Sequence, residues 1–266
     1  SNRLRLHTYG SPAPWFSFDI AYGFVAKIQD PLLFSGNMQF PAGQGPEYRA
    51  ADVEDRVYPS AQGMSPSFAV YQNLDRFSLT IHTRPADIIV GRQVIAWGSA
   101  RVINPTDILA PFRFNALDTE TRRGIDAVRV RLPVGMMGEI DAGFVAGKGF
   151  EAGENVFYGR ARHLLAGMDV SLLVMMFQNH LLGGLDLSGS LRGAGWWLEA
   201  AVVRADRRQE GERRPGKDYF RMSTGMDYSV TSSFYGFLEY HFSGGGAEQP
   251  SAYAERMDAL SIKEGS

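Results

Sequence analysis

The sequence predicts an all-β fold, an antiparallel up-and-down transmembrane β-barrel with about 12 strands in this chain, as part of a larger barrel of roughly 14 or more. Three observations predict it. Apolar and polar residues alternate with a period of two in many segments. Short turns and long polar loops alternate along the chain. The longest apolar run, LLVMMF at 172–177, is much shorter than the roughly 20 residues of a transmembrane helix, so strands would have to cross the membrane.

The composition indicates one large unit and excludes several kinds of site. The 266 residues show no division into parts of different composition, so we expect a single barrel domain, or a fragment of one, over 1–266. The chain has no cysteine, which excludes disulfides, thiolate nucleophiles, cysteine-based metal sites and c-type haem attachment. Its formal net charge is −2 and its basic residues form no block, so nucleic acid is not an expected partner.

The alternation defines the strands in order. In FSFDIAYGF at 16–24, large apolar side chains lie on one face and small or acidic side chains lie on the other. The segments GEIDAGFVAG, LDLSGSLR and YFRMSTGMDY repeat this pattern later in the chain. We therefore predict strands at 3–9, 15–28, 67–84, 87–97, 123–132, 137–147, 155–164, 168–180, 184–192, 195–205, 218–229 and 233–243.

The predicted connections fall into two classes. Tight turns are expected at 10–14, 84–87, 132–136, 164–167, 192–195 and 229–233. Long outer loops are expected at 29–66 and 98–122, with others at 147–154 and 206–217, while the break at 181–184 is a short exception. The stretch EYRAADVEDRVYP, residues 47–59, is compatible with another strand or a short helix, and we place it in the first long loop because a further strand would break the alternation. Outer-membrane barrels alternate tight periplasmic turns with larger external loops, whereas a β-sandwich has no reason to do so.

The two termini lead us to expect a fragment. With this strand count both ends of the chain would lie on the long-loop side, whereas bacterial barrels normally start and finish in the periplasm. The C-terminal DALSIKEGS lacks an aromatic-tipped strand, and SNRLRLHTYG at the N-terminus is no secretory signal. We therefore expect at least one further strand at each end.

The polar faces carry charges of both signs, which we assign to the lumen. If the turn of VRVRLPVGMMGEID centres on Gly135, Arg131 lies opposite Glu139 and Arg129 lies opposite Asp141. The predicted lumen-lining charged residues are Arg129, Arg131, Glu139, Asp141, Arg160, Arg162, Asp169, Asp186, Arg192, Glu199, Arg221, Asp227 and Glu239. Because the two signs nearly balance, we expect at most weak ion selectivity.

Aromatic residues near the predicted strand ends would form girdles at the membrane surfaces. Trp15, Trp97, Trp196, Tyr228 and Phe242 are the candidates. In this interpretation Trp97 marks the point at which its strand leaves the wall and enters the interface.

The stretch VGRQVIAWGSARVINPTDILAPF, residues 90–112, leads from a strand into a long loop. Asn104 as N-cap, Pro105 at the first helical position and Asp107 in the first turn predict a short helix that Pro111 ends. The loop either folds into the mouth and narrows the pore or packs on its own rim. The candidate constriction and signature residues are Arg92, Gln93, Trp97, Asn104, Pro105 and Asp107.

The sequence offers little for catalysis. The five histidines are scattered without metal-ligand spacing, and no G-x-S-x-G motif is present. Glu239 and His241 share a strand face, but such a pair more often belongs to a lumen wall than to a catalytic site. We therefore expect no enzyme activity, no catalytic residue, no metal and no cofactor.

The runs GRQVIAWGSARVINPTDILAPF, DTETRRGIDAVRVRLPVG and GFLEYHFSGGG carry a family resemblance. They resemble a poorly characterised family of Gram-negative outer-membrane β-barrels, porin-like, with a G-R-Q strand, a W-G exit and an N-P-T-D loop. The resemblance is clearest over 90–145 and 218–245. It implies that Gly91, Gly98 and the signature residues named above are structural, and it implies no catalytic role and no substrate.

Three functions follow as expectations for this fold. The first is an outer-membrane porin-like channel for passive diffusion or export of small or polymeric solutes. The second is a scaffold or sheath barrel that anchors a partner protein in an outer-membrane complex, and the third, with least support, is an outer-membrane hydrolase. The expected partners are the lipid bilayer of the outer membrane and other envelope proteins.

Overall fold

The structure of the chain, a computed structural model, describes residues 2–28, 48–51, 55–58, 67–109, 122, 124–151, 153–177, 180–204 and 218–245. The regular secondary structure of these residues is β-strand, apart from a single 3₁₀ turn at Lys148–Phe150. No helix within the described ranges is both long enough and apolar enough to cross a membrane. The strands are β1 (Asn2–Ala13), β2 (Phe16–Ile28), β3 (Asp55–Tyr58), β4 (Phe68–His82), β5 (Asp87–Gln93), β6 (Ile125–Val134), β7 (Gly138–Val145), β8 (Val156–Leu165), β9 (Met168–Phe177), β10 (His180–Leu191), β11 (Ala194–Arg204), β12 (Tyr219–Ser229) and β13 (Tyr235–Ser243).

All strands belong to one antiparallel sheet whose order follows the chain. The order is β1-β2-β4-β5-β6-β7-β8-β9-β10-β11-β12-β13, and β3 lies beside β4. The predicted fold class is therefore confirmed: the chain is all-β, with the up-and-down topology of transmembrane β-barrels. Within the described ranges β1 and β13 each pair along one side only. A larger barrel of 14 or more strands stays a prediction.

The tight turns lie at one end of the sheet, the short-turn end. The other connections lie at the long-loop end, where the step from β9, which ends at Phe177, to β10, which begins at His180, is the short exception. Two of the tight turns are two-residue hairpins, Ala166–Gly167 with φ of 51° and 80°, and Arg192–Gly193 with φ of 54° and 87°. Two positive φ values are those of a type I′ turn, whose twist matches the twist of the flanking strands. The prediction that Arg192 lines the lumen is therefore wrong, because this residue forms the turn.

The β6–β7 hairpin has a different register from the predicted one. Leu132 pairs with Ile140, and Arg131 pairs with Asp141 rather than with Glu139. The turn centres on Met136 because Val134 pairs with Gly138, which leaves a three-residue loop. A shift of two residues keeps every side chain on its predicted face and changes only its partner.

The two faces of the sheet differ in what covers them. On β9, Leu172, Val174 and Met176 are 57%, 57% and 58% exposed on one face. Leu173, Met175 and Phe177, which alternate with them, are 4%, 0% and 6% exposed on the other. The exposed face is here called the outward face and the covered face the inner face. Part of the chain itself must therefore fill the space above the inner face.

One strand leaves the wall early, and this explains two errors of the sequence analysis. β5 ends at Gln93, four residues before the predicted end at position 97. Toward the long-loop end β3 pairs with β4 in its place, so part of the stretch 47–59 is a strand after all. This strand leaves the alternation of turns and loops intact, because β3 has only four residues and belongs to the loop.

Residues 48–51 fill the remaining gap beside β6. The N–H of Asp126 donates to Tyr48 O at 2.9 Å, and the N–H of Ala50 donates to Asp126 Oδ2 at 2.9 Å. Tyr48 is buried, and burial together with the Glu154 carboxylate raises the pKa of its hydroxyl. The first long loop thus forms hydrogen bonds with part of the β6 backbone that has no partner in β5.

Candidate functional site

Residues 94–109, here called the interior segment, follow β5 and lie against the inner face of the sheet. The side chains of Ile95, Trp97 and Leu109, which belong to this segment, are buried. Trp97 stacks edge-on against Tyr158 of β8, with ring centroids 4.7 Å apart. The prediction that Trp97 lies in an aromatic girdle is therefore wrong. The buried apolar cluster consists of Tyr48, Ile95, Trp97, Leu109, Ile125, Ala127, Val145, Val156, Tyr158, Leu173, Met175, Phe177, Leu182, Ala201 and Val203.

The predicted helix in this segment is absent from its described part, which ends at residue 109. Asn104 to Asp107 form a turn, in which the Asp107 N–H donates to Asn104 O at 3.2 Å. The residues expected to cap a helix are used otherwise, since Asp107 forms an ion pair with Arg122 and Thr106 bonds to the wall. Residues 110–112, which include Pro111, lie outside the described residues.

Glu199 of β11 is the first of two wall carboxylates that hold the interior segment. It is fully buried. Its Oε1 accepts hydrogen bonds from the Thr106 N–H at 2.8 Å and the Thr106 hydroxyl at 2.6 Å, and its Oε2 accepts one from the Ala100 N–H at 3.4 Å. Hydrogen bonds to a carboxylate are stronger than those between neutral groups. Glu199 therefore fixes two points of the interior segment at once.

Glu239 of β13 is the second wall carboxylate. It accepts from three successive backbone N–H groups, those of Arg101 at 2.7 Å, Val102 at 3.2 Å and Ile103 at 3.1 Å. The indole N–H of Trp197 donates to it as well, at 3.0 Å. Successive N–H groups form a concavity that suits an anion. Here the anion is supplied by the wall rather than by a ligand.

Polar contacts at the wall complete the attachment. Ser99 donates to Asp186 of β10, and the Arg101 guanidinium pairs with Asp227 of β12 at 2.7 Å. The Ser223 hydroxyl donates to the carbonyl of Ile103 at 2.6 Å. The interior segment is thus bonded to four consecutive strands, β10 to β13.

Gly98 shows how closely the interior segment approaches the wall. Its φ is +106°, a conformation that other residues rarely adopt. A Cβ at this position would lie 2.3 Å from Asn104 Oδ1 and 2.5 Å from Glu199 Oε2. Only glycine fits between the turn and the carboxylate, which gives the W-G element of the sequence a physical reason.

The predicted lumen charges on β6 to β9 lie on the inner face, and three of the arginines form ion pairs there. Asp141 is 1% exposed and accepts from Arg129 Nε at 2.9 Å, from Arg129 Nη2 at 2.6 Å and from the Tyr158 hydroxyl at 3.0 Å. Arg162 pairs with Asp169 at 2.7 Å. The Arg129–Asp141 pair forms diagonally, because the register places Gly143 directly opposite Arg129.

Two signature residues lie in the wall rather than at the mouth. Arg92 is buried and donates to Asp126 Oδ1 at 2.7 Å and to the Leu74 carbonyl at 3.0 Å. Gln93 is also buried, and its amide group donates to the Ala127 carbonyl at 3.3 Å. We therefore assign both residues to the point where β5 leaves the wall, whereas Trp97, Asn104, Pro105 and Asp107 belong to the interior segment.

A small cavity remains between the interior segment and the wall. It is lined by Trp97, Thr106, Arg160, Ser171, Leu173, Gly184 and Asp186. Arg160 donates to the Ser171 hydroxyl at 2.7 Å. The cavity is therefore polar on the wall side, with both a cation and a carboxylate in its lining.

Sequence reasoning found the two glutamates but not what they bind. Their partners are backbone N–H groups of residues 100–103 and 106, which carry no sequence signal. The arrangement follows only from the path of the chain after Gln93.

Comparisons with known proteins give structural likenesses of low similarity. No family model matches the sequence, and no curated protein matches it. Among solved structures, the chain is similar to OccAB2 of Acinetobacter baumannii, with a TM-score of 0.42 and 9% identity over 92% of this chain and 62% of that chain. It is also similar to OmpT, an outer membrane protein of Vibrio cholerae, in vitro folded and in its trimer form, with a TM-score of 0.37 and 10% identity over 91% of this chain and 80% of that chain. The chain thus spans less than two thirds of the length of OccAB2.

Proposed function

We propose that this chain forms the wall of a porin-like pore in a Gram-negative outer membrane, through which small polar solutes diffuse passively, and that the interior segment narrows the passage. The observation that carries the proposal is the attachment of the interior segment to the inner face through Glu199 and Glu239. A segment held inside the wall favours small solutes over polymers. We assign no catalytic step, metal or cofactor to this function.

The outward face supports a bilayer as the surroundings of the wall. On β12 this face carries Phe220 and Tyr228 near the strand ends, with Met222, Thr224 and Met226 between them. Eight residues of strand rise about 27 Å, and a tilt of about 40° reduces this to a height of about 20 Å. That height is close to the apolar band of about 25 Å that outer-membrane barrels present to lipid.

The inner face supports a passage without strong ion selectivity. Its arginines lie beside carboxylates, as in the Arg129–Asp141, Arg131–Asp87 and Arg162–Asp169 pairs. Paired charges leave little net field for attracting one sign of ion. We therefore propose that cations and anions pass at similar rates.

The test is the unitary conductance of the folded full chain in a planar lipid bilayer. The double variant E199Q/E239Q keeps the side-chain volumes but replaces one acceptor oxygen of each carboxylate by an NH₂ donor, which faces other donors. We expect low conductance from the wild type and higher conductance from the double variant, because the interior segment loses its attachment.

The matched control is E151Q, which changes an exposed glutamate outside the strands. We expect its conductance to match the wild type. Absence of any conductance from the wild type and from the double variant, both folded, would contradict the proposed pore.

A second function, a scaffold or sheath that anchors a partner in an outer-membrane complex, is favoured by the apolar packing of the interior. Leu173, Met175 and Leu182 on the inner face are buried with Ile95 and Trp97 in one cluster. A wall filled in this way is rigid and suits an anchor. Copurification of a stoichiometric envelope protein in mild detergent, together with absent conductance, would favour this function over the pore.

A further inference from the structure

Three polar side chains from three neighbouring strands meet on the inner face at the short-turn end. Ser17 lies on β2, His82 ends β4 and Asp87 begins β5. The Ser17 Oγ is 3.0 Å from His82 Nε2, and His82 Nδ1 is 2.9 Å from Asp87 Oδ1. A carboxylate only accepts, so Nδ1 carries the proton and Nε2 is left to accept from the Ser17 hydroxyl. This is the hydrogen-bonding order of a nucleophile, a general base and an orienting carboxylate.

The three side chains stand on rigid backbone. Ser17 pairs with Thr80, and His82 pairs with Asp87 across the Thr83–Ala86 turn. The N–H of His82 also donates to the Trp15 carbonyl at 2.8 Å. Strand positions hold catalytic groups more precisely than loop positions do.

Asp87 and the strand beside Ser17 have further suitable features. Asp87 Oδ2 lies 3.6 Å from Arg131 Nη2, so the carboxylate is oriented from both sides. On β1 a bulge places both Ser11 and Pro12 opposite Ser17. A bulge takes backbone groups out of the regular ladder, so the sheet edge beside Ser17 is irregular at this point.

Solvent exposure distinguishes these three side chains from Ser223 and His241, which form another serine-histidine contact in the described part of the chain. The side chains of His82 and Asp87 are 38% and 34% exposed. Ser223, in contrast, is fully buried, bonds to Nδ1 of His241 and donates to the Ile103 carbonyl. Ser17 therefore combines an oriented base with contact to solvent.

We infer that Ser17, His82 and Asp87 form a serine hydrolase site for small water-soluble acyl esters. The substrate class follows from the position, because the site is partly exposed to solvent on the inner face and does not lie on the apolar outward face. The inference stands apart from the proposed pore, and it runs against the sequence-based expectation that the chain has no enzyme activity.

The reaction balances without any further reagent. Ser17 Oγ bonds to the ester carbonyl carbon while His82 Nε2 takes the hydroxyl proton, and the alcohol then leaves with that proton. Water, deprotonated by the same imidazole, attacks the acyl-serine, releases the carboxylic acid and restores Ser17. Asp87 keeps the imidazole in the required tautomer and stabilises its positive charge during both steps.

The test is covalent labelling of the folded full chain in detergent micelles with a fluorophosphonate probe, with the modified residue mapped by mass spectrometry. We expect the label on Ser17, and hydrolysis of p-nitrophenyl acetate above the rate of buffer. S17A removes both, H82Q lowers both by about 100-fold or more, and D87N lowers the hydrolysis rate because the tautomer is no longer fixed.

The matched control is S190A, which changes a serine exposed near the same end of the sheet. Its labelling and hydrolysis should equal those of the wild type. Three results would overturn the inference: no label on the folded wild type, a label that persists in S17A, or hydrolysis that H82Q leaves unchanged. Each variant is checked for folding by its circular dichroism, so loss of the fold is not mistaken for loss of the site.

Discussion

At the scale of single residues, the inner face uses similar ion pairs in two different environments. The Arg129–Asp141 pair has side chains 15% and 1% exposed, and the Tyr158 hydroxyl also bonds to the carboxylate. The Arg162–Asp169 pair has a similar nitrogen–oxygen distance, 2.7 Å, but its side chains are 50% and 43% exposed. Water screens the second pair and hardly reaches the first, so their contributions to stability differ.

The variant D141N tests this difference. It removes the negative charge and leaves the Arg129 guanidinium buried without its counter-charge, so we expect the free energy of unfolding to fall by about 3 kcal/mol or more. The control D169N breaks the exposed pair and should cost about 1 kcal/mol or less. The measurement is urea unfolding in detergent micelles, followed by tryptophan fluorescence. Equal costs for the two variants would show that the Asp141 cluster is not shielded from water.

The sequence predicted the face of these residues and the pairing of Arg129 with Asp141, but not the register that makes this pair diagonal. The face follows from alternation alone, and it was correct for Arg129 and Asp141. The partner depends on the register, and the register depends on whether the turn centres on Gly135 or Met136. Glycine with φ > 0 is compatible with either centre, so composition could not decide.

At the scale of elements, the interior segment covers the inner face of the sheet. It begins where β5 leaves the sheet at Gln93, and it is bonded to β10 through β13. Strand positions were predictable because the period of two is local to each segment. The departure of β5 was not predictable, because the carboxylates that hold the segment lie between 93 and 138 residues further along the chain than the groups they bind.

A designed disulfide tests the position of the interior segment. A Cβ on Gly184 would lie 2.7 Å from Thr106 Cγ2, close to the distance of about 3 Å that follows for Cβ and the opposite sulfur in a disulfide. The chain has no cysteine of its own. We expect T106C/G184C to cross-link under mild oxidation, which electrophoresis detects as a change in mobility that a reductant reverses.

The control for the cross-link is T106C/G183C, in which the second cysteine lies on the outward face one residue away. This pair should not cross-link. If T106C/G184C stays reduced, or if both pairs react alike, the interior segment does not lie on the inner face of β10.

At the scale of the whole molecule, the apolar outward face determines whether the sheet is surrounded by lipid or by water. Leu172 and Leu191 are both outward and more than half exposed, but Leu172 lies mid-strand on β9 and Leu191 lies beside the Arg192–Gly193 turn. In a bilayer these positions differ in depth, and the cost of a charge depends on depth. In water the two positions would be equivalent.

The variants L172R and L191R test whether a bilayer or water surrounds the outward face. In phospholipid vesicles we expect L172R to lower the free energy of unfolding by about 2–4 kcal/mol and L191R by about 1 kcal/mol or less. Reversible urea unfolding from the vesicles is the measurement. Similar costs for the two substitutions would contradict a bilayer around the outward face.

The attachment of the interior segment to Glu239 has a consequence for the order in which the molecule is assembled. The bonded residues, Arg101 and Glu239, are 138 positions apart, and β13 is the final strand of the described sheet. While the wall is still growing, Ile95 and Trp97 have no complete surface to cover them. Docking of the interior segment therefore cannot be completed before β13 is in place, and a chain arrested before this step would expose apolar surface to chaperones and proteases.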